Sequence, residues 1–161
     1  MRRLAGPLSA LALLALAPPA QAESSADPIG DMIVKALSMA TIPGVPDWRL
    51  KATLYHAGAK GVGSLDSIGC KPVAMRTAAT DPHQIPRRTV LFIKETVGLS
   101  MPDGSRHDGY WYASDVGGAI KGDRIDLYTG AGKGSMKPIM PLNLAKLSVT
   151  RMGKFKGCPP A

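Results

Sequence analysis

Residues 109–130 read GYWYASDVGGAIKGDRIDLYTG. The aromatic-rich run at 109–114 and the alternating run at 124–128 both have strand texture, and polar, glycine-containing sequence joins them. Gly117-Gly118 lets the backbone turn tightly there and come close to a bound group. Working outward, residues 49–56 (RLKATLYH) alternate as a strand does, and 72–79, 89–95 (TVLFIKE) and 147–151 (LSVTR) bring the number of short strands to six. Gly, Pro, Asp and Asn clusters separate them, with no long helices between. That spacing predicts an all-β chain, a small sandwich or barrel. Residues 96–108 (TVGLSMPDGSRHD) read as a long polar hairpin loop turning at Pro102-Asp103-Gly104.

The N-terminus has another character. Arg2 and Arg3, the apolar stretch 8–16 and the small-x-small site Ala20-Gln21-Ala22 form a signal peptide over residues 1–22. The apolar run is shorter than the ~20 residues a membrane span needs. Pro18-Pro19 ends it, so the mature protein is expected to begin near Glu23 without a membrane anchor. Residues 23–47 read as a lead-in with one short amphipathic helix at 31–40, and residues 48–161 as one domain. Export implies a periplasmic or secreted protein.

Loss of the leader takes the net charge from +8 to +6, a modest excess that suits anionic envelope polymers. No Lys/Arg tract with interleaved aromatics appears, which argues against nucleic acid as a partner. Cys70 and Cys158 are an even pair in an oxidising compartment and are expected to form a disulfide. Two distant cysteines make no metal site, and His56, His83 and His107 share no ligand spacing, so no metal or organic cofactor is expected. The run GAGKGS at 130–135 lacks the Ser or Thr after lysine that a phosphate loop requires.

Asp115 closes the strand at 109–114 and Asp126 lies eleven residues on, between Ile125 and Leu127. The Asp126 side chain therefore takes the opposite strand face from those two neighbours. If the intervening loop folds both carboxylates into one cavity, one of them is pushed toward the protonated form and can act as an acid. Alternatively, Asp115 closes a turn and Asp126 pairs with Lys121 or Arg124; spacing alone leaves both readings open. Asp81-Pro82 likewise is an ordinary turn opener.

The run SDVGGAIKGDRIDLYTG, with TDPHQIPRRT and KATLYHAG upstream, resembles the 3D (three-aspartate) domain over about residues 50–152. That domain is the catalytic barrel of membrane-bound lytic transglycosylases and stands alone in small stationary-phase-survival-like wall enzymes. The resemblance implies a six-stranded double-psi β-barrel with Asp81, Asp115 and Asp126 as its acidic positions. Asp126 inherits the acid/base role, Asp115 tunes it, and Asp81 lies at the groove edge. Lys121, Gly117, Gly118, Tyr128 and Tyr55 are implied in binding peptidoglycan glycan strands. The implied reaction cleaves the bond between N-acetylmuramic acid and N-acetylglucosamine to give 1,6-anhydro products. With no second domain to wall the groove, an open cleft is expected. A glycoside hydrolase using Asp115 and Asp126 as a pair, and a non-catalytic glycan-binding module, remain alternatives.

Intact-mass measurement of the exported protein should find a chain starting at or near Glu23 with Cys70 and Cys158 joined. A retained Met1, or two free thiols, overturns the compartment reading.

Overall fold

The computed structural model describes residues 45–161; the signal peptide and the lead-in helix read from the sequence lie outside the described residues. Six strands form: β1 (Trp48–Ala57), β2 (Thr77–Thr80), β3 (Thr89–Ile93), β4 (Tyr110–Asp115), β5 (Arg124–Ala131) and β6 (Lys146–Lys154). They close into a barrel in the order β1-β5-β2-β4-β3-β6. Two neighbouring pairs, β1–β5 and β2–β4, are parallel, and the other four are antiparallel.

Period-two alternation fills the interior. In β3, Thr89, Leu91 and Ile93 are buried while Val90 and Phe92 are half-exposed. Leu50 and Ala52, Trp111 and Ala113, Ile125 and Leu127, and Leu147 and Val149 supply the inward residues of β1, β4, β5 and β6, and Ala78 that of β2, all fully buried. Trp111 Nε1–H donates to Thr96 Oγ1 at 3.0 Å, so the largest core side chain leaves no orphan donor.

The structure differs from the sequence reading in three places. β2 covers only Thr77–Thr80, because Met75 takes a left-handed φ of 58° and residues 73–77 turn instead. Residues 133–142, unread in the sequence, form a 3-10 helix against β1 and β5 with Ile139 fully buried. The 96–108 hairpin loop turns at 102–104 as read, but it is not wholly polar: Met101 and His107 are buried.

His107 stacks on Trp111 at 5.0 Å. Its Nδ1 accepts the Gly109 N–H at 2.8 Å, which leaves Nε2–H to donate to the Met75 carbonyl at 2.6 Å. That bonding uses a neutral imidazole. The disulfide Cys70–Cys158, with Cα atoms 5.6 Å apart, ties the C-terminus to the β1–β2 loop. Among the described residues no helix is long and apolar enough to cross a membrane.

Burial holds the His107 pKa below its ordinary 6.5, and the nearby Arg76 charge acts in the same direction. The unfolded chain therefore takes up a proton near pH 6.5 that the folded barrel resists. Stability from this source is full above that pH and falls as pH drops below it. Melting temperature recorded from pH 7.5 to 5 should decline, and the decline should flatten in His107→Gln. An equal slope in the variant assigns the pH dependence elsewhere.

Candidate functional site

Because Ile125 and Leu127 fill the interior, Asp126 stands on the outer face of β5, with Thr53 of β1 on one side and Ala79 of β2 on the other. Asp115 reaches the same face by a register shift. Along β4, Trp111 and Ala113 point inward, and strict alternation would send Asp115 inward too. The β2–β4 ladder instead pairs Ala78 with Ala113 and Ala79 with Asp115. The extra residue, Ser114, turns Asp115 outward, as a bulge does. Ala79 thus lies between the two acids with only a methyl group. With strands ~4.8 Å apart, the Cα atoms of Asp115 and Asp126 are about 10 Å apart across it.

Both acids line a cleft of about 420 Å³ whose far wall is the β1–β2 loop, from Ala59 to Ser67 and again at Pro72. The environments of the two carboxyls differ sharply. Asp115 accepts three hydrogen bonds: from Tyr55 Oη at 2.9 Å, Ser67 N at 3.1 Å and Val116 N at 2.9 Å. Asp126 Oδ1 is sealed from solvent with no partner, and among the described residues Asp126 makes no ion pair. Burial holds the Asp126 carboxyl above its ordinary range; the Thr53 hydroxyl opposes this and the Asp115 charge adds to it. Burial, reinforced by Asp115, also keeps the Tyr55 phenol protonated, so it acts as a donor.

Asp81 is not brought to this cleft. Its Oδ2 accepts the Gly122 N–H at 2.9 Å and its Oδ1 the His83 N–H at 3.1 Å, and these bonds hold its pKa below the usual carboxylate range. It ties the Asp-Pro turn to the loop entering β5, where Gly122 adopts a left-handed φ of 56°. Lys121 adds its charge beside Asp81 and does not line the cleft. Gly117 lines it, and a Cβ there would meet Ile120 Cγ1 at 2.7 Å, so the glycine makes room for packing beneath the loop. Gly118 lies outside the lining. Tyr128 is buried against Tyr55, with ring centroids 5.2 Å apart.

The sequence reading missed Asp66 and Ser67. Asp66 is a third carboxylate in the cleft wall, 7 % exposed, and Ser67 supplies one of the Asp115 donors. The signal was the run DSIGC at 66–70, an aspartate four residues ahead of a disulfide cysteine with a glycine between.

Several solved structures are similar to part of this chain. E. coli lytic transglycosylase MltA with bound chitohexaose is 21 % identical over 60 % of this chain and 29 % of its own, with a TM-score of 0.43. LtgG of Burkholderia pseudomallei, a lytic transglycosylase, is 25 % identical over 63 % of this chain and 28 % of its own, at 0.41. MltA from Neisseria gonorrhoeae is 21 % identical over 59 % and 23 %, at 0.43. The chain thus spans less than a third of the length of these structures. No curated protein matches the chain by sequence. Residues 76–137, which run from the edge of β2 through Asp115 and Asp126, match the 3D domain family.

Proposed function

We propose that the protein is an exported lytic transglycosylase that cleaves peptidoglycan glycan strands, with Asp126 as its single acid/base and Asp115 as the supporting carboxylate. The observation that carries this reading is the contrast between the two acids. One accepts three hydrogen bonds, and the other is buried with an unpartnered oxygen and a raised pKa. Paired carboxyls whose environments differ this way divide into an acid and a stabilising charge. The 3D-domain match supports the substrate class, and the two parallel pairs in the strand order support reading the barrel as double-psi. The disulfide supports an oxidising compartment, the periplasm or beyond.

In this mechanism protonated Asp126 gives its proton to the glycosidic oxygen as the bond to the anomeric carbon breaks. Positive charge grows on the sugar and the Asp115 carboxylate offsets it. Ionised Asp126 then takes the proton from the muramoyl 6-hydroxyl, whose oxygen closes onto the anomeric carbon. The product is a 1,6-anhydro sugar, no water is consumed, and Asp126 ends protonated as it began.

Digestion of purified sacculi followed by mass spectrometry of the soluble products tests this. Anhydro ends are expected; reducing ends would make the protein a hydrolase, and binding without products a glycan-binding module. Asp126→Asn should lower cleavage by the ~100- to 10,000-fold that general acid–base help supplies, while the melting curve shifts by no more than ~1 kcal/mol in stability. Anhydro-muropeptide release at the wild-type rate in that variant removes Asp126 from its role. Asp115→Asn should cut the rate and also move the basic limb of the kcat profile to lower pH. The variant loses a negative charge that holds the Asp126 proton on, so Asp126 ionises earlier. An unmoved limb uncouples the pair.

A further inference from the structure

We propose that Asp66, outside the matched segment, is a positioning residue of this cleft, and that its negative charge as well as its turn serves the reaction. The inference rests on the glycan-cleavage reading above. Asp66 Oδ1 accepts the N–H groups of Ile68 at 3.2 Å and Cys70 at 2.8 Å. Its own N–H donates to the Cys70 carbonyl at 2.8 Å, and its carbonyl accepts the Gly69 N–H at 3.0 Å. Cys70 is bonded to Cys158, so the 66–70 turn is fixed covalently at one end and by four hydrogen bonds within. Ser67 rides on that turn. Its N–H reaches Asp115, its Oγ–H donates to the Ser114 carbonyl at 2.9 Å, and Arg87 Nε–H donates to the same Oγ at 2.9 Å. Through Ser67, the orientation of Asp66 sets one of the three donors on Asp115.

The turn needs only one acceptor oxygen at position 66, and an asparagine would supply it. What the aspartate adds is Oδ2, buried, with no partner. Sealing a bare carboxylate oxygen from water is unfavourable, and nothing in the turn offsets that. Its place in the cleft wall does. Asp66 lines the same cavity as Asp115 and Asp126, where water is displaced when a glycan strand lies in it. A fixed negative charge there stabilises the positive charge that grows on the sugar, and it needs no contact with the substrate to do so. That gain exists only in the transition state, so it belongs in kcat rather than in binding.

Asp66→Asn separates the two contributions, since the amide oxygen can keep both turn hydrogen bonds while the charge is lost. Asp66→Ser, whose hydroxyl closes the same kind of turn, is the second uncharged variant should the amide not fold. Steady-state cleavage of soluble glycan strands, with a thermal melt on each protein, should give wild-type-like melting, KM within about 2-fold and kcat lower by ~10-fold or more. Asp66→Ala, which also frees Ser67, should lower kcat further and raise KM. Wild-type kcat in either folded uncharged variant overturns the inference and leaves glycan cleavage standing. Wild-type protein that releases no fragments overturns both.

Discussion

A six-stranded barrel is narrower than the eight-stranded kind whose interior side chains just fill, so every strand residue that points inward is committed to packing. Chemistry must then stand on the outer face, where water would hold a lone carboxyl near its ordinary pKa. The protein resolves this with the loop between β1 and β2. Residues 58–72 fold back over the outer face of β5, β2 and β4, and the Cys70–Cys158 disulfide keeps them there. The open cleft expected from the sequence is thus partly walled by the chain's own loop. The burial that raises the Asp126 pKa needs that wall as well as the strand beneath it.

Within the cleft, the three carboxylates differ in the donors they meet and in how they are buried. Asp115 has three, Asp66 has two on a single oxygen, and Asp126 Oδ1 has none. Burial pushes the Asp126 carboxyl toward its protonated form, with the Thr53 hydroxyl opposing and the Asp115 charge adding to it. Tyr55 reinforces the division because its hydroxyl goes to Asp115, while its ring packs on Tyr128 next to Asp126 in β5. The two tyrosines read as glycan contacts are therefore unequal: one lines the cavity and the other supports it from behind.

Much of the barrel was legible because alternation and turn residues are local signals. The runs at 49–56, 89–95, 109–114, 124–128 and 147–151 each fall on a strand, and Asp126 stands opposite Ile125 and Leu127 as its position in the run requires. The face taken by Asp115 was not legible from its own strand, since it depends on Ser114 being left over in the ladder with β2, a partner more than thirty residues upstream. Met75 escaped for a related reason: a left-handed methionine that cuts β2 short is set by tertiary packing, and no propensity announces it. The 133–142 helix was hidden by its composition, because Pro138 and Pro141 argue against an α-helix yet suit a 3-10 segment docked by Ile139. Asp66 was passed over because its run lies between strands and shows no period.

The run matched to the 3D domain family therefore holds scaffold contacts as well as the carboxyls of Asp115 and Asp126. Asp81 joins the Asp-Pro turn to Gly122, Gln84 Nε2–H donates to Asp123 beside it at 3.0 Å, and Gly117 leaves room for Ile120. These contacts fix where β5 begins, and hence where Asp126 stands along it. Residues 76–137 contain that scaffold and both cleft acids, but not β1, β6 or the 58–72 loop. The loop nonetheless supplies the far wall, one Asp115 donor and the third carboxylate. The acid pair is thus a property of the matched segment, while the depth and charge of the cleft around it come from sequence outside that segment. A chain that kept residues 76–137 but altered 58–72 would keep the same acids in a wetter site, where Asp126 would give up its proton more readily and hold it less well at neutral pH.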